Sequence, residues 1–288
     1  DITLRSEPGQ GLMLYGGGVA GYQGLIGAFG GGANEASNCV IERCSFTGGS
    51  VTVEGGYPYA GGVLGYNYTG AILRESYAAG GTVTGRGENL PYVGGVSGYN
   101  SRSESKPSLI ENCYSDMTVN GDASSRQALA GGVAGSNAAW ARISKCYARG
   151  SVTATVVGGG SGETGSSLGV PAAANAGGIA GSQYVGMPSI DNCAALNAKV
   201  DGRGGVFNVH RIAGEGSDNV GAWTANMASA PLYHDGQAVE PGAAAAGGFD
   251  GADCAAKPEQ SDYESLGWDF SGVWKMGAGG YPVLRWQS

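Results

Sequence analysis

The chain has 288 residues, enough to bury a sizeable core as one large domain or two small ones. Glycine supplies 57 residues and proline only 10, without a three-residue period, which excludes collagen, and an apolar content of 42% argues against disorder. A formal charge of −8 with 14% charged residues leaves no electrostatic case for nucleic acid or an anionic membrane as partner.

At the amino end, "ITLRS" and "GLMLYGG" read as the strands of an opening coil. No run of eighteen apolar residues occurs, and "DITLRSEPGQ" has neither the basic nor the apolar region of a signal peptide. Either a leader has been removed or the chain is a segment of a longer polypeptide, expected to be monomeric there and not to insert into a membrane.

From Gly16 onward a phrase repeats: "GGGVAGYQ", "AGGVLGYN", "VGGVSGYN", "AGGVAGSN", "AGGIAGSQ" and a degenerate "HRIAGEG". Its aliphatic anchors Val19, Val63, Val96, Val133, Ile179 and Ile212 lie 44, 33, 37, 46 and 33 residues apart, a unit near 33 with insertions. A second phrase follows each of the first five ("VIERCSF", "ILRESYA", "LIENCYS", "RISKCYA", "SIDNCAA"), then a third ("GGSVTVEG", "GGTVTGRG", "DMTVNGDA", "RGSVTATV", "NAKVDGRG"). Each is too short for a helix, is β-branched at its anchor and is bounded by turn residues. The expected fold is all-β: a right-handed parallel β-helix, or β-solenoid, of about six three-strand coils over residues 1–218, closed by an aromatic C-terminal cap over 219–288.

In such a coil like residues stack about 4.8 Å apart. The Val and Ile anchors then form an inward ladder, and the glycines beside them permit positive φ or close backbone approach. Gln23, Asn67, Asn100, Asn137 and Gln183 read as an amide ladder at a turn. Cys44, Ser76, Cys113, Cys146 and Cys193 read as an inward column of free thiols, because a serine occupies one site; Cys39 and Cys254 stand outside it. No C-x-x-C pair occurs, and His210 and His234 are remote in sequence from the repeat cysteines, so no metal or other cofactor is expected. If Ile110 and Cys113 both point inward, a corner must separate them. Beside it, Glu42 should stack on Arg74 and Arg43 on Glu75 as a solvated ion-pair ladder. Ser50 with Thr52, Thr82 with Thr84, Thr118 with Asn120 and Ser151 with Thr153 make outward hydroxyl rows that end at Lys199 and Asp201.

The phrase Gly-Gly-Val/Ile-x-Gly, followed by I-x-N-C-Y and S-V-T-G, resembles the GLUG-motif repeats of bacterial surface proteins, from Gly16 to about Gly214, roughly two thirds of the chain. "SLGWDFSGVWKMGAGGYPVLRWQ" is similar to the closing segment of such regions. The sixth copy departs from the pattern, with Arg211 at the second glycine, as does the insertion "TVVGGGSGETGSSLGVPAAANA". The resemblance implies extracellular proteins, adhesin-like or accessory to enzymes such as immunoglobulin proteases. It supplies no catalytic residue.

Chemistry is sparse elsewhere. "GGGSGETG" lacks the Lys-Ser/Thr of a phosphate loop, and the charged insertion residues Glu35, Arg102, Glu104, Lys106 and Glu163 are isolated. Stacked aromatics are the candidates for binding: Tyr22, Tyr66 and Tyr99 in one column, and Tyr77, Tyr114 and Tyr147 in another beside the cysteines. The expected function is non-catalytic, an adhesin-like surface module that binds a host glycan or protein at Tyr22, Tyr66 and Tyr99, or a rigid spacer. The alternatives are a polysaccharide-degrading β-helix enzyme, which needs acid pairs or clustered carboxylates on neighbouring coils, and ice binding on the threonine rows.

Overall fold

The computed structural model describes residues 1–7, 9–24, 39–102, 107–157, 172–184, 186–216, 223–241 and 248–287; Glu35, Glu104, Lys106 and Glu163 lie outside them, with "GGGSGETG" and most of the insertions. The repeats stack into a parallel β-helix. Its first sheet runs Met13–Gly17, Tyr57–Gly61, Tyr92–Gly94, Gln127–Gly131, Ala173–Gly177, Val206–His210, one strand per coil. The second runs Ala20–Gln23, Leu64–Tyr68, Ser97–Ser101, Ala134–Ala138, Ala180–Tyr184, Ala213–Gly216. A third carries the start of the second phrase, from Val40–Glu42 to Ser189–Asp191, and a larger fourth carries its end together with the third phrase. The coil thus has four faces where three strands were expected. The extra face arises because the Gly-Gly-Val corner divides the first phrase: Gly61 ends one strand and Leu64 begins the next.

Register follows the sequence columns. Val63, Val96, Val133, Ile179 and Ile212 are wholly buried, and each passes its amide to the carbonyl of the next rung at 2.9–3.0 Å up to Ile212. Each buried aliphatic side chain contributes about 1.5–3 kcal/mol. Val19, the first rung, is 43% exposed because only one axial neighbour covers it. Ile2–Arg5 and Met13–Gly17 pair in parallel with Ser50–Gly55 and Tyr57–Gly61, so the opening coil is present.

The glycines of the repeat serve close approach. Among the described residues none of those in the first phrase has positive φ, whereas Gly48, Gly80 and Gly204 of the third phrase do. A Cβ on Gly62 would come within 2.2 Å of the Gly95 carbonyl oxygen, and one on Gly65 within 2.4 Å of that of Gly21. The first phrase is glycine-rich because the second sheet folds back over the backbone of an adjacent coil. Arg211 shows the converse: it occupies the second-glycine position in the last coil, where the segment from Phe249 to Asp253 replaces a further repeat. Its guanidinium reaches Asp253 at 2.6 Å and the carbonyls of Ala228 and Gly251.

The amide ladder is wholly internal. Asn67 donates to Asn100 and Asn100 to Asn137, both at 2.9 Å, and each also donates to backbone carbonyls of the third sheet. These amides are not left-handed, as an exposed turn would require; they satisfy carbonyls at a buried corner. Left-handed residues do mark the corner expected between Ile110 and Cys113: Arg43, Glu75, Asn112, Lys145 and Asn192, with φ of 45–57°. Cys113, Cys146 and Cys193 are buried and unbridged behind it, and Cys44 is partly covered. Glu42 meets Arg74 at 2.8 Å and Glu75 meets Arg43 at 3.0 Å, the anticipated pairing. The Ser/Thr rows stack in register across Ser50, Thr82 and Thr118 and across Thr52, Thr84, Asn120 and Thr153, giving way to Asp201.

The aromatic cap has two parts. Trp223 and Phe249 pack edge to face at 4.5 Å against Gly216 and close the end of the last coil. The rest turns back along the flank instead of plugging the end. The single described helix, Gln260–Ser265, was not apparent in the sequence; its first turn is held by Asp262, which accepts from the Glu259 amide. The hairpin Trp274–Met276 with Pro282–Leu284 follows. Leu232–His234 and Gln237–Val239 form the other antiparallel pair among the described residues. Among the described residues no helix is long and apolar enough to cross a membrane.

Candidate functional site

The two tyrosine columns have different fates. Tyr77, Tyr114 and Tyr147 stack with nearly parallel rings at 4.8 and 5.0 Å, but the chain's own C-terminal segment covers them. Trp286 lies on Tyr77 at 5.7 Å, Trp274 on Tyr114 at 6.4 Å and Trp268 on Tyr147 at 6.1 Å. The Tyr147 hydroxyl donates to the Pro282 carbonyl at 2.6 Å. This column is an internal surface and offers no platform.

Tyr22, Tyr66 and Tyr99 are brought together as a register column on the second sheet. They do not stand alone. Tyr15, Tyr59 and Tyr92 form an equivalent column on the first sheet, and rings from the two interleave across the corner. Tyr66 stacks on Tyr15 at 5.6 Å and on Tyr59 at 5.4 Å, while Tyr99 meets Tyr59 edge-on at 5.8 Å and Tyr92 at 4.8 Å. Such pairs contribute about 0.5–1.5 kcal/mol each beyond burial. Burial pushes the Tyr22 hydroxyl up to about 12, with smaller contributions from Tyr68 and Tyr15, and pushes Tyr66 and Tyr99 up as well. These phenols stay neutral, so what they present is ring faces and hydrogen-bonding hydroxyls and no charge.

The interleaving stops after the third coil. Below Tyr92 its column continues as Leu129, Asn175 and Asn208, and below Tyr99 the other continues as Ser136, Ser182 and Glu215. Small side chains replace rings, and a cavity of about 280 Å³ opens in the same corner. Tyr92 and Tyr99 wall one end and Glu215 the other, with Ser136 and Ser182 between; Leu90, Arg126, Gln127, Leu129 and Tyr184 complete the lining. Tyr184 is 54% exposed at the rim. The polar floor is ordered by its own hydrogen bonds. Asn208 donates to Asn175 at 2.7 Å, Asn175 donates to the Glu215 carboxylate at 2.9 Å, and the Ser182 hydroxyl donates to that of Ser136 at 2.8 Å. Burial raises the Glu215 carboxyl above the ordinary glutamate value.

Glu215 and the first-sheet tyrosines escaped the sequence columns, although a signal existed. Tyr15 and Tyr22, Tyr59 and Tyr66, Tyr92 and Tyr99, Leu129 and Ser136, Asn175 and Ser182, and Asn208 and Glu215 are each seven residues apart, straddling the Gly-Gly corner. Glu215 lies in the degenerate sixth copy, where the repeat no longer spells the tyrosine.

A parallel β-helix with a flank-packed aromatic segment and an open polar-aromatic corner groove defines a solenoid repeat protein. The GLUG motif is matched at residues 89–120 and 127–153, so the chain carries GLUG-motif repeats. Its structure is similar, with a TM-score of 0.59 and 23% identity, to that of a Bacteroides ovatus protein provisionally named an immunoglobulin A1 protease, over 85% of this chain and 68% of that one. At that identity the likeness shows the fold alone. No curated protein sequence matches the chain.

Proposed function

We infer that the chain is a non-catalytic β-solenoid binding module of a bacterial surface or secreted protein, adhesin-like, engaging a host glycan or protein along the tyrosine corner. The observation that carries this reading is the 280 Å³ cavity at the point where the interleaved tyrosines end. A concave site with aromatic walls and a few fixed polar groups is the usual form of a ligand pocket. Glu215 is the one acid among its lining residues, whereas glycoside hydrolysis generally employs two carboxyls flanking the bond.

The test pairs glycan and host-protein arrays with assays for reducing-sugar release from polysaccharides and for cleavage of immunoglobulin A1. Saturable binding without turnover, weakened by Tyr66→Ala or Tyr99→Ala, is the expected result. Turnover of either substrate class overturns the reading, and an absence of any bound ligand leaves the chain as a rigid spacer.

A further inference from the structure

We propose that the cavity below Tyr99 is a saccharide subsite that takes a neutral pyranose ring in the place of the tyrosine missing at Ser136. This rests on the binding-module reading and names the ligand class of the same corner. Like positions in successive coils lie about 4.8 Å apart, so the ring of Tyr99 would meet the next ring of its column where only the Ser136 hydroxymethyl now stands. The side of Tyr99 toward that coil is therefore left without a ring partner in its own column, whose rings elsewhere meet edge to face at 5.4 and 5.0 Å.

The gap has the chemistry of a sugar rather than that of an apolar ring. A pyranose offers a C–H face to an aromatic wall and a rim of hydroxyls to its surroundings. Here the wall is Tyr99 with Tyr92, and the polar groups are the hydroxyls of Ser136 and Ser182 and the carboxylate of Glu215. Glu215 is held by Asn175, itself held by Asn208, so an acceptor for sugar hydroxyls is fixed before the ligand arrives. Charge narrows the class further. Arg126 and Glu215 are the only charged residues in the lining, of opposite sign, so the site as a whole favours neither a cation nor an anion.

Calorimetric titration of the full chain with neutral hexasaccharides of β-1,4-glucose, β-1,3-glucose, α-1,4-glucose and β-1,4-mannose tests the proposal, with a trimethyl-lysine peptide as the competing cationic ligand. At least one hexasaccharide should bind. Tyr99→Ala and Glu215→Gln should each weaken that binding about tenfold or more. Ser136→Tyr is the decisive variant, because it fills the cavity by extending the tyrosine column; it should abolish binding while leaving the melting temperature equal or higher. A sugar that binds all three variants as tightly as the native chain overturns the subsite, as does preference for the trimethyl-lysine peptide. If no hexasaccharide binds but a protein ligand from the arrays is lost on Tyr99→Ala, the saccharide proposal falls and the binding-module reading stands; if nothing binds, both fall.

Discussion

The indole N–H of Trp274 donates to the side-chain oxygen of Asn112 at 3.2 Å, across 162 residues of sequence. Asn112 is one of the left-handed corner residues, and two more receive the same attention: Trp268 donates to the Asn192 carbonyl and Trp286 to that of Glu75, both at 2.8 Å. Three tryptophans thus read one corner column, from a late coil back to an early one. The C-terminal segment acts as a lateral strap, joining coils that otherwise touch only their neighbours.

Replacing Trp274, whose side chain is fully buried, should therefore affect more than its own site. Trp274→Ala is expected to cost about 3–5 kcal/mol from the lost ring contacts and the cavity left behind. Limited proteolysis should then release the segment after residue 254 before the solenoid unfolds. Thermal unfolding with a single unchanged transition and no early cleavage would show that the strap adds little.

The repeat glycines give a sharper expectation. Gly65 has an ordinary backbone conformation, so alanine is conformationally acceptable, yet its Cβ would sit 2.4 Å from the Gly21 oxygen and 2.8 Å from the Gly16 amide nitrogen. Backbone cannot yield as a flexible side chain can. Gly65→Ala should destabilise by about 1–3 kcal/mol or more, whereas Gly48→Ala, at positive φ in open space, should cost only the backbone strain of about 1–2 kcal/mol. Denaturant unfolding of both variants checks the order, and equal or reversed losses would contradict the close-approach account.

How far these features were legible depends on whether their partners are copies. Val63, Asn100 and Cys146 each contact their own equivalents one coil away, so a column of like letters already describes the contact. The corner after Glu111 could be placed because Ile110 and Cys113 demanded it. Trp274 and Asn112 share no column, and nothing in a repeat period reports where a non-repeating segment docks. The fourth face was missed because a strand break at Gly-Gly leaves no gap in the written phrase. The groove was half visible: Tyr66 and Tyr99 are repeat letters, but their interleaving with Tyr59 and Tyr92 belongs to the seven-residue spacing across the corner.

The thiol column predicts a graded reactivity. Burial pushes the thiols of Cys146 and Cys193 well above the ordinary cysteine value, and Cys254 up to about 11, which removes the reactive thiolate at neutral pH. Cys39 is exposed at the first coil, while Cys254 pairs its amide with Ala228 near the last, so the two have no route to a bridge. A thiol reagent should label Cys39 rapidly, Cys44 and Cys254 slowly, and Cys113, Cys146 and Cys193 only in denaturant, where all six react. Fewer than six thiols in the denatured, unreduced chain would mean that a bridge exists.

Acid sensitivity should trace partly to Asp201, at the end of the hydroxyl rows. Its side chain is fully buried and accepts from Lys199 at 2.7 Å, Arg203 at 2.8 Å and the Gly236 amide at 3.2 Å. Burial alone would raise its pKa, but the Lys199 and Arg203 hydrogen bonds outweigh that and hold it below the usual aspartate value. A carboxyl depressed in the folded state binds fewer protons there than in the unfolded chain. Its contribution is complete above the unfolded value of about 3.9 and is lost as pH falls through the lower folded value. Asp201→Asn should therefore lower stability at neutral pH by roughly 1.5–3 kcal/mol, the worth of charged hydrogen bonds whose partners keep some solvent. The gap between the two proteins should close on acidification. Melting temperatures measured from pH 7 to about pH 2, through the depressed folded value, check this, and a constant gap would mean that Asp201 acts through packing and not through its charge.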